Sequence, residues 1–377
     1  MYTQSSDFTY TYHSQTMANR AAWITAVRAK PLKVDSAPYP KAGPGEVIIK
    51  NSVVAINHID WKIQDFGFLL EQYPNVLGAD VAGVVEEVGP GVKLLKKGDR
   101  IAAMGHGLQT QNPAHGGFQH YTAVLESIAT PIPHSMNFED GVVLPIAVST
   151  AAGGLYHKDK LALPLPSHEP TPSGKTILVW GGSSAVGSMA IQLAAASGVR
   201  VVATASSHNH KLVRYLGSNA AVDYKSPNVV NEILLALQEV GGEFAGVYDA
   251  ISEGDSFDNV GAVLRKLGGA KVVNVLPPHN PPEVFQPSVG EYLYCYDASS
   301  LCANEMFESV LATDVLREEN KGVLEAVWAK FLPGALISRQ LKAFPEPLVI
   351  GEGLEAVQEG LEKLKAGVSA KKLVVKL

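Results

Sequence analysis

Cysteine is nearly absent from this chain: Cys295 and Cys302 are the two in 377 residues. A four-cysteine structural zinc site is therefore excluded. The pair reads as reduced thiols of a cytosolic protein rather than as a disulfide. A basic excess is missing as well. Lysine and arginine number 31 against 37 aspartate and glutamate, a net charge of -6. Without a dense Lys/Arg stripe, this argues against a nucleic-acid partner. No apolar run approaches the roughly 18 residues of a membrane span, so no membrane partner is expected. The N-terminal stretch MYTQSSDFTYTYHSQTMANR has neither a basic n-region nor an apolar h-region, and it carries Asp7 with no Lys or Arg before Arg20. It is unlike a targeting peptide. Residues 1–19 are expected to form a polar, poorly ordered tail, with Met17 an alternative start, and the location expected is the cytoplasm.

What remains is an ordinary globular composition, 46% hydrophobic and 18% charged, long enough for one or two well-buried domains. The first third reads as strands and turns: GEVIIKNSVVAI (45–56), DVAGVVEEVG (80–89), KKGDRIAAM (96–104) and GGFQHYTAV (116–124) are β-branched or apolar stretches punctuated by glycine. A mostly β, partly closed barrel is expected. The proline-dense LALPLPSHEPTPSGK (161–175) is a surface connector, and strand then alternates with helix. TILVW, a helix over about 184–197, VRVVATA, a short helix near 211–216, AAVDY, a helix over 229–240, GVYDAI, another helix and KVVNVL follow in turn. That alternation predicts a doubly wound parallel sheet covered on both faces. PPHNPPEVFQP (277–287) interrupts it, and an amphipathic helix and a closing strand end the chain.

The stretch VWGGSSAVGSMAIQLAAASG (179–198) follows a strand and opens a helix, the context a dinucleotide fingerprint requires. Gly182 is assigned the tight turn and Gly187 the close approach of helix to strand. Backbone amides around Ser183, Ser184, Ala185 and Val186 are placed to face a pyrophosphate at the positive end of the helix. Ser184 stands where the middle glycine usually is. The end of the next strand selects the cofactor. An NAD site wants Asp or Glu about 20 residues on, and ASSHNHK (205–211) has neither. Ser206, Ser207, His208, Asn209 and Lys211 offer donors to a 2′-phosphate, which favours NADPH over NADH. A polar helix cap is the competing reading of the same residues.

With GADVAGVVEEVG, KKGDRI, the glycine loop, LGSNAAVDY and AGVSAKKLVV, the chain resembles a medium-chain dehydrogenase/reductase over about residues 20–377. VAINHIDWKIQDFG, the LPLP connector and SSHNHKLVRYLGS make it most similar to the fungal zinc-binding alcohol dehydrogenase domain proteins of the CipB type, relatives of quinone oxidoreductases and of polyketide trans-enoyl reductases. The resemblance implies a Rossmann domain plus a GroES-like, partly open barrel. Its expected segments are a tail (1–19), a catalytic first part (20–145), the NADPH-binding domain (146–315) and a return to the catalytic domain (316–377).

The family name promises zinc, yet the positions matching the catalytic ligands hold Asn57, Ala79 and a residue near Ile146. Alanine and isoleucine cannot bind zinc and asparagine binds it poorly, so no metal is expected. His106, His115 and His120 read as core or solvated histidines rather than as a replacement cluster. The resemblance further places Lys62 and Thr150 beside the nicotinamide. Lys62 would stabilise developing negative charge or contact cofactor phosphate, with a solvated surface lysine the bland alternative. Asn57 would donate to a substrate carbonyl, replaceable by water in an open cleft, or simply shape a turn. Asp80 would anchor a strand turn. Tyr224 would sit near the adenosine 2′-phosphate or pack in the core, and Val275 and Leu276 would offer backbone contacts.

Without a Lewis acid, the favoured chemistry is hydride delivery to an already electrophilic small molecule, a conjugated enone or an enoyl thioester. A quinone reductase and a non-catalytic NADPH-binding protein are the alternatives. A homodimer, or an in-trans polyketide synthase partner, is compatible with the sequence without being specified by it.

Overall fold

The computed structural model describes residues 18–253, 255–276 and 307–377. The cysteine pair, the tail before residue 18 and the proline-rich 277–287 lie outside them.

The α/β half is built on a parallel sheet whose strands run in the order Ala220–Val222, Arg200–Thr204, Lys175–Trp180, Glu243–Asp249, Val272–Asn274 and Phe307–Ser309. Numbered along the chain this is 3-2-1-4-5-6, the order that opens a ligand crevice where the winding reverses. Lys175–Trp180 is the central strand, with Leu178 against Val202 on one side and Val247 on the other. These strands are near-continuous branched apolar runs because both faces are covered. Helix Ala185–Ala196 is alanine-rich and free of β-branched runs, and it starts at Ser184, whose Oγ accepts the Gly187 N–H at 3.0 Å. Helix Val229–Val240 buries Val229, Ile233, Ala236 and Leu237, a single stripe at helical spacing. Helix Ser256–Leu267 ends where Gly268 turns left-handed at φ 82°, a conformation that glycine adopts without strain.

The other half is an antiparallel-rich sheet ordered Glu346–Glu352, Lys371–Lys376, Glu46–Ala55, Asp80–Val88, Arg100–Met104 and Ala129–Pro131, with Tyr121–Leu125 also on Glu46–Ala55. A small sheet of Lys33–Ala37, Asn19–Ile24 and Asn75–Val76 flanks it. The closing strand pairs Val374 with Ala55 and Val375 with Val54. The parallel sheet is thus inserted into the chain of the antiparallel one, and the chain end packs beside its beginning.

Helix Pro145–Tyr156 links the halves. The stretch Phe138–Tyr156, 19 residues of mean hydropathy 1.2, is long and apolar enough to cross a membrane by length and composition. No such run is expected from the sequence. In the fold 78% of it is buried: Val148, Ala151, Ala152 and Leu155 have no exposed surface and belong to the core shared with helix Ala185–Ala196. Its apolarity serves packing inside the protein.

Candidate active site

A cleft of about 450 Å³ lies between the halves, at the carboxyl ends of the parallel strands, where this fold binds ligands. Ser183, Ser184 and Ala185 line one wall, Ser206 and Tyr224 its far end, and Asn57, His58 and Lys372 the opposite wall.

The glycine loop fits a dinucleotide, with one reassignment. Gly181, not Gly182, takes the left-handed turn, at φ 79°. Its N–H is held by the Thr204 hydroxyl at 3.0 Å, while the Gly182 N–H goes to the Thr204 carbonyl at 2.8 Å. Gly182 instead allows close packing: a Cβ there would meet Ile191 at 2.8 Å and Ala203 at 3.1 Å. A Cβ on Gly187 would lie 2.2 Å from the Gly181 carbonyl oxygen. The Ser184 N–H is spent on the Gly181 carbonyl at 3.0 Å. Ala185 and Val186, as the first two helical residues, keep N–H groups without an intrahelical acceptor. These donors and the helix dipole suit a pyrophosphate.

At the end of the second strand the Ser206 hydroxyl donates to the Tyr224 hydroxyl at 3.3 Å. His208 and Lys211 are exposed and do not line the cleft, nor does Asn209, which is buried with an unpartnered Nδ2. The segment is free of acid in sequence but not in space. The Asp223 carboxylate, from the neighbouring strand, accepts the N–H of Ser207 at 3.3 Å and that of Lys225 at 2.9 Å, and the Lys225 bond leads the contacts that pull its pKa down. Val275 and Leu276 directly follow strand Val272–Asn274 and are not among the residues lining the cleft. The Val275 N–H is used by the Ser252 hydroxyl at 2.9 Å.

The opposite wall is a buried charge network. Asn57 caps helix His58–Phe66 and is 8% exposed. Its Nδ2 donates to Asp80 Oδ2 at 2.9 Å, and its Oδ1 accepts from the Lys372 ammonium. Lys372 also pairs with Asp80 Oδ2 at 2.8 Å, and Asp80 Oδ1 takes the Ile146 N–H at 2.7 Å. The picture of Asn57 as a water-replaceable donor in an open cleft does not hold, because Asn57 is 8% exposed and its amide is held by Asp80 and Lys372. Asp80 does more than anchor a turn; it joins three elements. Beside it, burial pushes the Asp60 carboxyl up to about 7.

Lys62 is 7% exposed, not a solvated surface lysine. Its ammonium pairs with Glu253, which lines the cleft although Lys62 itself does not, and lies 5.4 Å from the Trp61 ring centre. Glu253 is presented by a bend that Asp249 organises, accepting the N–H groups of Ile251 and Ser252 and the Ser256 hydroxyl at 3.0, 2.9 and 2.8 Å. The Thr150 hydroxyl donates back to the Ile146 carbonyl at 2.7 Å, and Thr150 is not among the residues lining the cleft. His58, unmentioned by any motif argument, accepts the Trp61 indole N–H at Nδ1, 3.2 Å. Desolvation, with Lys62 and Lys372, pulls its pKa down, and with Nδ1 accepting, the neutral imidazole carries its proton on Nε2.

Zinc does not fit these residues. Ala79 and Ile146 offer no side-chain ligand, and an ammonium already occupies the space between Asn57 and Asp80, where it would repel a dication. A second group, Glu46, His106 and His115, does bring three potential ligand atoms within 4.8 Å. However, the two imidazoles stack at 4.1 Å with planes 16° apart. Both Nε2 atoms already face one Glu46 oxygen, at 3.1 and 3.6 Å, and an ion between stacked rings would not lie in both ring planes at the roughly 2.0–2.1 Å that zinc requires. Burial holds His106 down to about 3.

An inserted doubly wound domain, with its phosphate cradle facing a polar wall across a cleft, defines a nicotinamide-dinucleotide oxidoreductase. Residues 43–134 match the alcohol dehydrogenase GroES-like domain and residues 185–304 match zinc-binding dehydrogenase. The chain is 39% identical over 372 residues to dehydrogenase orsE of Emericella nidulans, covering 95% of this chain and 99% of that one. It is 37% identical over 361 residues to trans-enoyl reductase himH of Aspergillus japonicus, covering 96% and 98%. With the zinc-binding alcohol dehydrogenase domain-containing protein cipB of Emericella nidulans it shares 33% over 359 residues, covering 95% and 98%. The fold is shared with the CurK enoyl reductase (TM-score 0.69, 16% identity, covering 95% and 99%). A Pseudomonas syringae quinone oxidoreductase shares it too (TM-score 0.68, 22% identity, covering 96% and 100%). The chain belongs to the medium-chain dehydrogenase/reductase superfamily.

Proposed function

We propose that this oxidoreductase is a cytoplasmic, zinc-independent, NADPH-dependent reductase that saturates an activated double bond of a small molecule, an enone or an enoyl thioester. The observation that carries this reading is the pairing of a phosphate cradle with a metal-unfit, cation-bearing wall. NADPH, when bound, supplies the hydride. The chain orients the acceptor and stabilises charge on its carbonyl oxygen. The printed name of himH, a trans-enoyl reductase, supports the acceptor class. The test is NADPH consumption with a panel of enones, enoyl thioesters and quinones. Turnover on quinones alone moves the reading to a quinone reductase, and binding without turnover removes the catalytic claim.

Three results are expected. The dissociation constant for NADPH should be at least about tenfold below that for NADH, the scale of one charge-assisted contact. Ser206 and Tyr224 are the donors at the cleft's far end, whereas Asp223, engaged by the Ser207 and Lys225 N–H groups, does not line it. Equal constants by calorimetry would sink this. Purified, untagged protein should carry no stoichiometric zinc, and chelators should leave its rate unchanged; about one zinc per chain by elemental analysis contradicts this. Lys62→Ala should lower kcat by about a hundredfold, the scale of losing one stabilising donor. A raised KM for NADPH with kcat intact would make Lys62 a phosphate contact. Unchanged kcat and KM values would remove it from the site.

A further inference from the structure

Lys372 is the least expected group in the cleft. It is 4% exposed, yet it lines the cavity. Its neighbour Lys371, which also borders the cavity, is exposed and pairs with Glu346 on the adjacent strand. The alternation of a strand puts one lysine out and the next one in. The inward ammonium meets Asp80, which has no exposed surface, and Asn57. A buried ion pair is poor value as a source of stability, since apolar residues of like volume usually serve as well. An ammonium has three N–H donors. Two are taken by partners among the described residues, Asp80 and the Asn57 carbonyl oxygen, which leaves one for the cleft.

We infer that Lys372 takes the electrostatic place of the catalytic metal: a fixed ammonium, held by Asp80 and Asn57 on the cleft wall, that binds the oxyanion formed on the acceptor. This rests on the reduction reading above. In that reaction a hydride, carrying two electrons, adds to the β-carbon. The C=C pair shifts so that the carbonyl π electrons come to rest on oxygen. A solvent proton then reaches the α-carbon, giving the saturated carbonyl and oxidised cofactor. The negative charge appears on the oxygen between these two events, and a preorganised cation there acts without reorganisation cost. Asp80 holds the ammonium in place at 2.8 Å, and through Asn57 the same pair fixes the orientation of the side-chain amide.

The test reads oxyanion binding without turnover. In the presence of NADP+, 4-nitrophenol should bind wild-type protein as the phenolate, with its apparent pKa lowered by about one unit or more, a tenfold preference. Lys372→Arg, which keeps the charge, should retain the shift. The double variant Asp80→Asn/Lys372→Met removes both charges together and strands no buried carboxylate. It should lose the shift and about a hundredfold in kcat, while its melting temperature and NADPH dissociation constant stay near wild type. A folded double variant that still favours the phenolate, a Lys372→Arg variant that does not, or a wild type without the shift overturns the inference. Absence of turnover on every acceptor with the phenolate shift intact would instead sink the reduction reading and leave the oxyanion site standing.

Discussion

Gly187→Ala is expected to destabilise the protein by about 3 kcal/mol or more and to weaken dinucleotide binding by about a hundredfold, because nothing around the new methyl can yield. The added Cβ would sit 2.2 Å from the Gly181 oxygen, 2.9 Å from its carbon and 3.0 Å from Ser184 Oγ. The first two are backbone atoms of the turn itself. Relief requires the start of helix Ala185–Ala196 to move off strand Lys175–Trp180. That movement breaks the Gly187 N–H bond to Ser184 Oγ and carries the free amides of Ala185 and Val186 out of line with the cleft. Calorimetric titration with NADPH and thermal unfolding check both halves. Gly322→Ala is the control: a Cβ there has nothing within 4 Å and the residue lies in helix Lys321–Leu324, so the change should be neutral or stabilise by about 0.5–1 kcal/mol. Wild-type affinity and melting in Gly187→Ala would show that the loop is not held against its strand as described.

The glycine loop and the alternating half were legible because their signals are local. Glycines bounded by a strand and a helix announce themselves, and helix Val229–Val240 has the bounds its periodicity predicts. The choice between Gly181 and Gly182 was not local. It depends on Thr204 in the next strand, whose hydroxyl and carbonyl take the two N–H groups in turn. Asp223 was invisible for a related reason. The acid-free segment ends at Lys211, whereas the carboxylate comes from just past the adjacent parallel strand, where Thr204 is level with Val222. Lys372 was hidden most deeply. Its motif was noticed, but either lysine of SAKKLVV could face inward until the register of Val374 on Ala55 is known. Lys62 and Asn57 were found through the resemblance. Their partners Glu253, Asp80 and Lys372 lie 191, 23 and 315 residues away in sequence, beyond the reach of any spacing rule.

Wild-type protein should lose stability relative to Asp60→Asn as pH rises from about 4 to 7, by up to about 4 kcal/mol across the full window, with no further change above it. Burial is the main cause: Asp60, in the first turn of helix His58–Phe66, has an enclosed side chain, and its pKa rises from 3.8 to about 7. The Asp80 carboxylate adds to the rise, while the Asn57 and Gly78 amides and the Lys372 ammonium oppose it. Between the two values the folded chain holds a proton that the unfolded chain has released. Stability therefore decreases with pH there, and the contribution is complete below 3.8 and gone once the folded group ionises near 7. Asn at this position cannot titrate. It costs one acceptor at every pH, since Asp60 Oδ2 takes the Asn57 N–H at 2.8 Å and Oδ1 the Gly78 N–H at 3.3 Å. That cost shifts the whole curve without tilting it. The measurement is urea unfolding of both proteins at several pH values, compared as the difference in unfolding free energy. A pH-independent difference would mean that Asp60 is already ionised in the folded protein at the acid end. The Lys372 pair would then outweigh burial, and the wall of the cleft would hold two carboxylates against one ammonium.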